Sequence, residues 1–209
     1  LTYFYYNGLI LFRKLIGVYN DGHSNMNTHL FLKSIIELIA NISAQYFLDE
    51  PTALSKQPYL EKNIVIHDSN VANILICNQD IRIIFKIHYN HNQANVILKD
   101  HLDLNYTTNK IDDYFLEACN LIAGKIKIYF KNQSLDVGIS IPLKTAGFDE
   151  LFFPVYNDEY RIEYCWSLRT NKKPVVMSAF LEVMDPKLQS KMKNISNDHI
   201  NTDDDVEFF

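Results

Sequence analysis

The stretch DDYFLEACNLIAGKIKIYFK, Asp112 to Lys131, carries the reading of the fold. Phe115, Cys119, Ile122, Ile126 and Tyr129 recur at steps of three and four, the spacing of one face of an α-helix. Asp113, Glu117, Asn120, Gly124, Lys127 and Lys131 recur at similar steps on the other face. A helix patterned in this way needs a second layer to cover its apolar stripe. On the polar side Glu117 and Asn120 project together, one turn apart. Gly124 follows a turn later. A glycine inside a helix costs roughly 1 kcal/mol relative to alanine, and its missing side chain lets another surface come close.

Further out, the chain resembles itself. ELIANISAQYF, Glu37 to Phe47, matches NLIAGKIKIYF, Asn120 to Phe130, at Leu, Ile, Ala, Tyr and Phe. Chance agreement between two apolar helix faces is one explanation, and a duplicated half-domain is the simpler one. The first copy lies in a helix expected over Met26 to Leu48, with Leu30, Phe31, Ile35, Leu38, Ile42 and Tyr46 at helical spacing, and Pro51 and Pro58 beyond it.

Strands are expected after each helix. Ile64 to His67 and Asn73 to Cys77 are short β-rich runs separated by Asp68, Ser69 and Asn70. Ile83, Phe85 and Ile87 alternate with Arg82, Ile84, Lys86 and His88, a strand with one mainly buried face. Ala94 to Lys99 reads as its hairpin partner across a turn at Tyr89 to Asn92. Leu135 to Ile141 alternates as a strand ending at Pro142. Tyr160 to Arg169 and Val175 to Val183 alternate as a hairpin around Asn171, Lys172 and Lys173. Two long helices with antiparallel strands and no regular βαβ alternation imply a layered α/β (α+β) domain. An antiparallel sheet is packed by long helices, in pseudo-twofold half-domains.

The 209 residues suit one domain, and 47% hydrophobic with 22% charged residues is a globular composition. A formal net charge of −5 argues against nucleic-acid binding. Cys77, Cys119 and Cys165 form no CxxC, so reduced thiols in a cytoplasmic protein are expected, with Cys119 and Cys165 packed as small residues. The domain is expected over 26–185. Three readings stay open for residues 1–25: a mis-called start, an extra helix on the core, or a membrane-surface helix. The apolar run Leu9 to Ile16, broken by Arg13 and Lys14, is too short to span a bilayer. Residues 186–209 are expected to form an acidic, disordered tail, most plainly from Asn194 onward. His88 and His91 read as a polar turn more readily than as metal ligands, and no nucleophile elbow or triad order occurs.

The stretch Asp113 to Gly124, with Glu117 and Asn120 as an ExxN pair followed by Gly124, resembles the ExxN helix of the CheC/CheX chemotaxis phosphatases. The following LDVGISIP, Leu135 to Pro142, is similar to the strand after that helix. The order helix, strands, ExxN helix, strands covers Met26 to Asp185. The resemblance implies a CheX-like phosphatase of two-component signalling that hydrolyses the aspartyl phosphate of a CheY-like receiver domain. Asn120 would position the attacking water and Glu117 would dock on the receiver's lysine, with Asp113, Gly124 and Lys127 on the binding surface. An amide can donate to and accept from water while staying neutral beside phosphate. No cofactor of its own is implied; Mg²⁺ belongs to the receiver. The positions matching Glu117 and Asn120 in the first copy are Ser34 and Glu37, which implies a one-site, CheX-like arrangement. The tail Asp203 to Phe209 resembles the acidic, aromatic-ended docking tails of some response-regulator phosphatases; a functionless solvated tail is the alternative. Without the resemblance, Glu117 and Asn120 read as solvated residues of an amphipathic helix; the alternative function is a non-catalytic signalling or homodimerising module of the same fold.

Overall fold

A computed structural model describes residues 25–47, 59–61, 69–102, 107–147, 160–169 and 174–192. In chain order the elements are α1 (Asn25–Phe47), β1 (Tyr59–Glu61), β2 (Asn70–Cys77), β3 (Ile81–Tyr89), α2 (His91–Leu102), α3 (Thr108–Asn132), β4 (Gly138–Ile139), β5 (Leu143–Ala146), β6 (Arg161–Arg169), β7 (Pro174–Val183) and α4 (Leu188–Lys191).

All strand pairs are antiparallel, in the order β1-β6-β7-β3-β2-β4, with β5 also on β2. Hairpins β2–β3 and β6–β7 meet at β3–β7, and they share one register: Asn70 faces Tyr89 as Ile162 faces Leu181. Each half lends its remaining strand to the other, since β1 pairs with β6 whereas β4 and β5 pair with β2. This is the pseudo-twofold arrangement that the internal match implied.

Because strand side chains alternate, Ile74, Ile83, Phe85, Trp166, Met177 and Leu181 lie on one face and are buried with Leu32, Ile35, Ile39, Phe115, Ile122 and Ile126 of the helices. Helix α1 covers β6 and β7, and α3 covers β2 and β3. Trp166 Nε1 donates to buried Ser43 of α1 at 3.2 Å. The opposite face carries Arg82 and Arg161 on Glu182 (2.9 and 2.7 Å) and Lys86 on Glu163 (3.4 Å).

The structure departs from the sequence reading in five places. Ala94–Lys99 is helix α2, not a strand: β3 already pairs on both edges, so none is left for a hairpin partner. Asn90 caps the helix instead, its side-chain oxygen accepting from Gln93 N at 2.8 Å. Strand β4 ends at Ile139, short of Pro142, and pairing with β2 resumes past the proline in β5. Ile139 faces Ile76 and Leu143 faces Asn73, leaving three residues opposite two, a bulge that accommodates the proline. Only Gly138 and Ile139 of the run Leu135–Ile141 are paired, while Leu135 and Val137 are buried in the core. In β3, Lys86 and His88 are buried as well, so its second half is closed on both faces. Past Asp185, α4 and the residue after it bury Leu188 and Met192 in the same core. The expected strand Ile64–His67 and the segments 1–24 and 193–209 lie outside the described residues.

Candidate functional site

Helix α3 buries Ile111, Phe115, Ala118, Cys119, Ile122, Ala123, Ile126, Tyr129 and Phe130, which turns the remaining arc outward. That arc carries the residues singled out from the sequence. Asp113 and Glu117 are exposed, and Asn120, Gly124 and Lys127 are half-buried. Glu117 and Asn120 thus share one side of one helix, with Asn120 closer to the protein body. Among the described residues neither side chain is held by a hydrogen bond or an ion pair. A Cβ added at Gly124 would meet nothing within 4 Å among the described residues, so the glycine relieves no crowding there.

The matching face of α1 differs. Ser34 donates back to Leu30 O at 2.9 Å, and Glu37 pairs with Lys33 at 3.7 Å. Those two positions are engaged by their own helix, whereas Glu117 and Asn120 have no such partner among the described residues.

The charge of Glu117 is felt across the helix seam. Tyr46, near the end of α1, is held above its ordinary pKa by burial first and then by the charge of Glu117 and by Cys119. Tyr46 occupies the position in the first copy that Tyr129 has in the second. The sequence showed this tyrosine as part of the repeat but not that the charge of Glu117 reaches it.

A second polar group lies near the start of α3. Asp112 Oδ1 accepts from Tyr89 Oη at 2.7 Å and from His91 Nε2 at 2.8 Å, and Oδ2 accepts from Lys144 Nζ at 2.6 Å. Burial opposes ionisation of Asp112. The hydrogen bonds from Lys144, Tyr89 and His91 outweigh it and hold the carboxyl below the usual aspartate value. Tyr89 is pushed far up, by burial and then by its bond to Asp112. Sequence reading passed over this group. Its one readable trace was a carboxylate three residues before Phe115 and seven before Cys119, on the apolar side of the helix.

His88 and His91, expected on a shared turn, are separated. His88 is buried in β3 with its Nε2 on Ser178 Oγ at 2.9 Å, and His91 opens α2 on Asp112. No cluster of three or more His, Cys, Asp or Glu side chains suited to a metal ion occurs among the described residues. Cys119 and Cys165 are buried; Cys119 donates to Ala72 O at 3.4 Å, and burial pushes its thiol far up. Among the described residues no helix is long and apolar enough to cross a membrane.

No protein-family model matches the sequence, and no curated protein does. Solved structures match by shape. A chemotactic CheC-like protein from Shewanella oneidensis superposes with a TM-score of 0.51 at 10% identity, over 69% of this chain and 98% of that one. CheX from Vibrio vulnificus superposes at 0.48 with 13% identity, over 77% of this chain and 100% of that one. A CheX–CheY–BeF3–Mg²⁺ complex from Borrelia burgdorferi superposes at 0.48 with 10% identity, over 71% of this chain and 97% of that one. With its antiparallel sheet and paired helices on one face, the chain has the fold of the CheC- and CheX-like chemotaxis proteins.

Proposed function

We propose that this protein is a one-site phosphatase acting on the aspartyl phosphate of a CheY-like receiver domain. Asn120 positions the hydrolytic water and Glu117 engages the receiver. The observation that carries this reading is the contrast between the two helices: among the described residues Glu117 and Asn120 stand unengaged, one turn apart, while Ser34 and Glu37 are tied to their own helix. The CheC-like fold supports the resemblance from which the roles of the ExxN pair are drawn.

The chemistry asks little of this chain. An aspartyl phosphate beside the receiver's own Mg²⁺ needs a water held in line with phosphorus, and positioning supplies most of the gain. The Asn120 amide can accept from that water with its carbonyl and donate with its NH₂. Glu117, exposed and acidic, suits a salt bridge to a lysine beside the phosphoryl group. Asp113, Gly124 and Lys127 complete the surface. Gly124, open above, lets the partner's backbone approach.

The test is turnover of phosphorylated receivers. Asn120→Ala should slow dephosphorylation by at least about 100-fold while leaving binding nearly intact, because the amide acts mainly in the transition state. Glu117→Ala should weaken docking and rate together, and Ser34→Ala or Glu37→Ala should do little. Unchanged turnover in Asn120→Ala rejects the site. A second reading, a non-catalytic docking or dimerising module, draws on the exposure of Ile141 (80%) and Leu143 (60%) beside the sheet edge. A protein that binds receivers or itself but hydrolyses nothing would establish it.

A further inference from the structure

The phosphatase reading makes the orientation of α3 a functional quantity, and the Asp112 group is placed to set it. Its members come from four elements: Tyr89 ends β3, His91 opens α2, Asp112 lies near the start of α3, and Lys144 is on β5. Both carboxylate oxygens are used, at 2.6 to 2.8 Å. The Tyr89 ring also stacks on Phe115 of α3 with ring centroids 4.2 Å apart and meets the His91 ring edge-on at 6.0 Å. The helix has no side-chain cap at Thr107. Beyond apolar packing, which tolerates some sliding and rotation, Asp112 therefore supplies the directional contacts that lock this end of α3.

Glu117 and Asn120 follow Asp112 on the same rod, about 8 and 12 Å along its axis at 1.5 Å per residue. A rotation of roughly 10° swings a side chain at roughly 5–6 Å radius through about 1 Å. A misplacement of about 1 Å can cost about 100-fold in a reaction governed by positioning. We propose that Asp112, held by Tyr89, His91 and Lys144, is a positioning residue that fixes the rotation of α3 and so aims Asn120 and Glu117 at the receiver. This role rests on the phosphatase reading above.

The experiment compares Asp112→Asn, Lys144→Met and Lys144→Arg with the wild-type chain, at a temperature where melting curves show all four folded. Dephosphorylation of a receiver is followed over a range of receiver concentrations, and hydrogen exchange is followed over residues 113–124. Asp112→Asn keeps the shape but puts an NH₂ where a donor now points. It should lower kcat by about 10–100-fold, raise KM as well because Glu117 is misaimed together with Asn120, and speed exchange along residues 113–124. Lys144→Met should follow it in part, and Lys144→Arg should recover the rate that Lys144→Met loses. Wild-type kcat in Asp112→Asn overturns the positioning role alone, whether or not exchange has changed. A kcat loss without faster exchange, or an equal loss in Lys144→Arg and Lys144→Met, overturns it too. A wild-type protein inert towards every receiver that it binds overturns the phosphatase reading and this role together.

Discussion

Replacing Gly124 with alanine separates stability from docking. The glycine lies well inside α3, eight residues before its end at Asn132, and among the described residues a Cβ there meets nothing within 4 Å. Alanine therefore brings no clash, and the helix gains its intrinsic preference over glycine, about 1 kcal/mol. For a domain of this size that is a rise in melting temperature of about 2–4 °C. If Gly124 leaves room for a receiver's backbone, the same methyl group intrudes on the partner. Overpacking of a tight contact costs about 1–3 kcal/mol, a loss in affinity of about 5- to 150-fold. Thermal unfolding followed by circular dichroism gives the first quantity, and titration with a phosphorylated receiver or a stable phosphate-mimic complex gives the second. The expected outcome is a more stable and worse-binding protein, the usual trade at a functional site. A variant that is more stable and binds as well as wild type would show that Gly124 is outside the interface. A variant that melts lower would refute the open surroundings on which the reasoning stands.

Further outcomes follow from the same structure. Ser134, at φ 64°, takes the left-handed position after α3, where Ser134 N donates to Lys131 O and Leu135 N to Phe130 O; Ser134→Gly should stabilise the protein by about 0.5–1 kcal/mol, read as a higher denaturant midpoint. Leu188→Ala should cost about 2–4 kcal/mol if α4 belongs to the core, and within about 0.5 kcal/mol if the domain ends at Asp185. Asp112 has its pKa depressed in the folded state, so its stabilisation is present above the ordinary aspartate value and lost as pH falls through the lower, folded value. Acid titration of stability should fall less steeply below about pH 4 in Asp112→Asn than in wild type. A thiol reagent should label Cys77, the half-buried cysteine, before Cys119 and Cys165, which should react only on unfolding.

What could be read along the chain was whatever repeats over a few residues. The 3.6-residue period of Asn25–Phe47 and Thr108–Asn132, and the alternation of Ile81–Tyr89, Arg161–Arg169 and Pro174–Val183, come from one face of each element meeting the core, and they are written locally. The position of Glu117 and Asn120 on the outer side of α3 follows from that period alone. Ala94–Lys99 was beyond such reading, because a short apolar run suits a strand or a helix equally. The choice fell to the helix because β7, remote in sequence, already occupies the free edge of β3. The resumption of pairing at Leu143 after Pro142 likewise depends on β2 lying beside it. The exchange of β1 and β5 between halves, the effect of the Glu117 charge on Tyr46, and the gathering of Tyr89, His91 and Lys144 on Asp112 all join residues from separate elements. Periodicity specifies which side of an element is buried, whereas pairing partners and polar clusters depend on which edges and donors remain when the whole chain is packed.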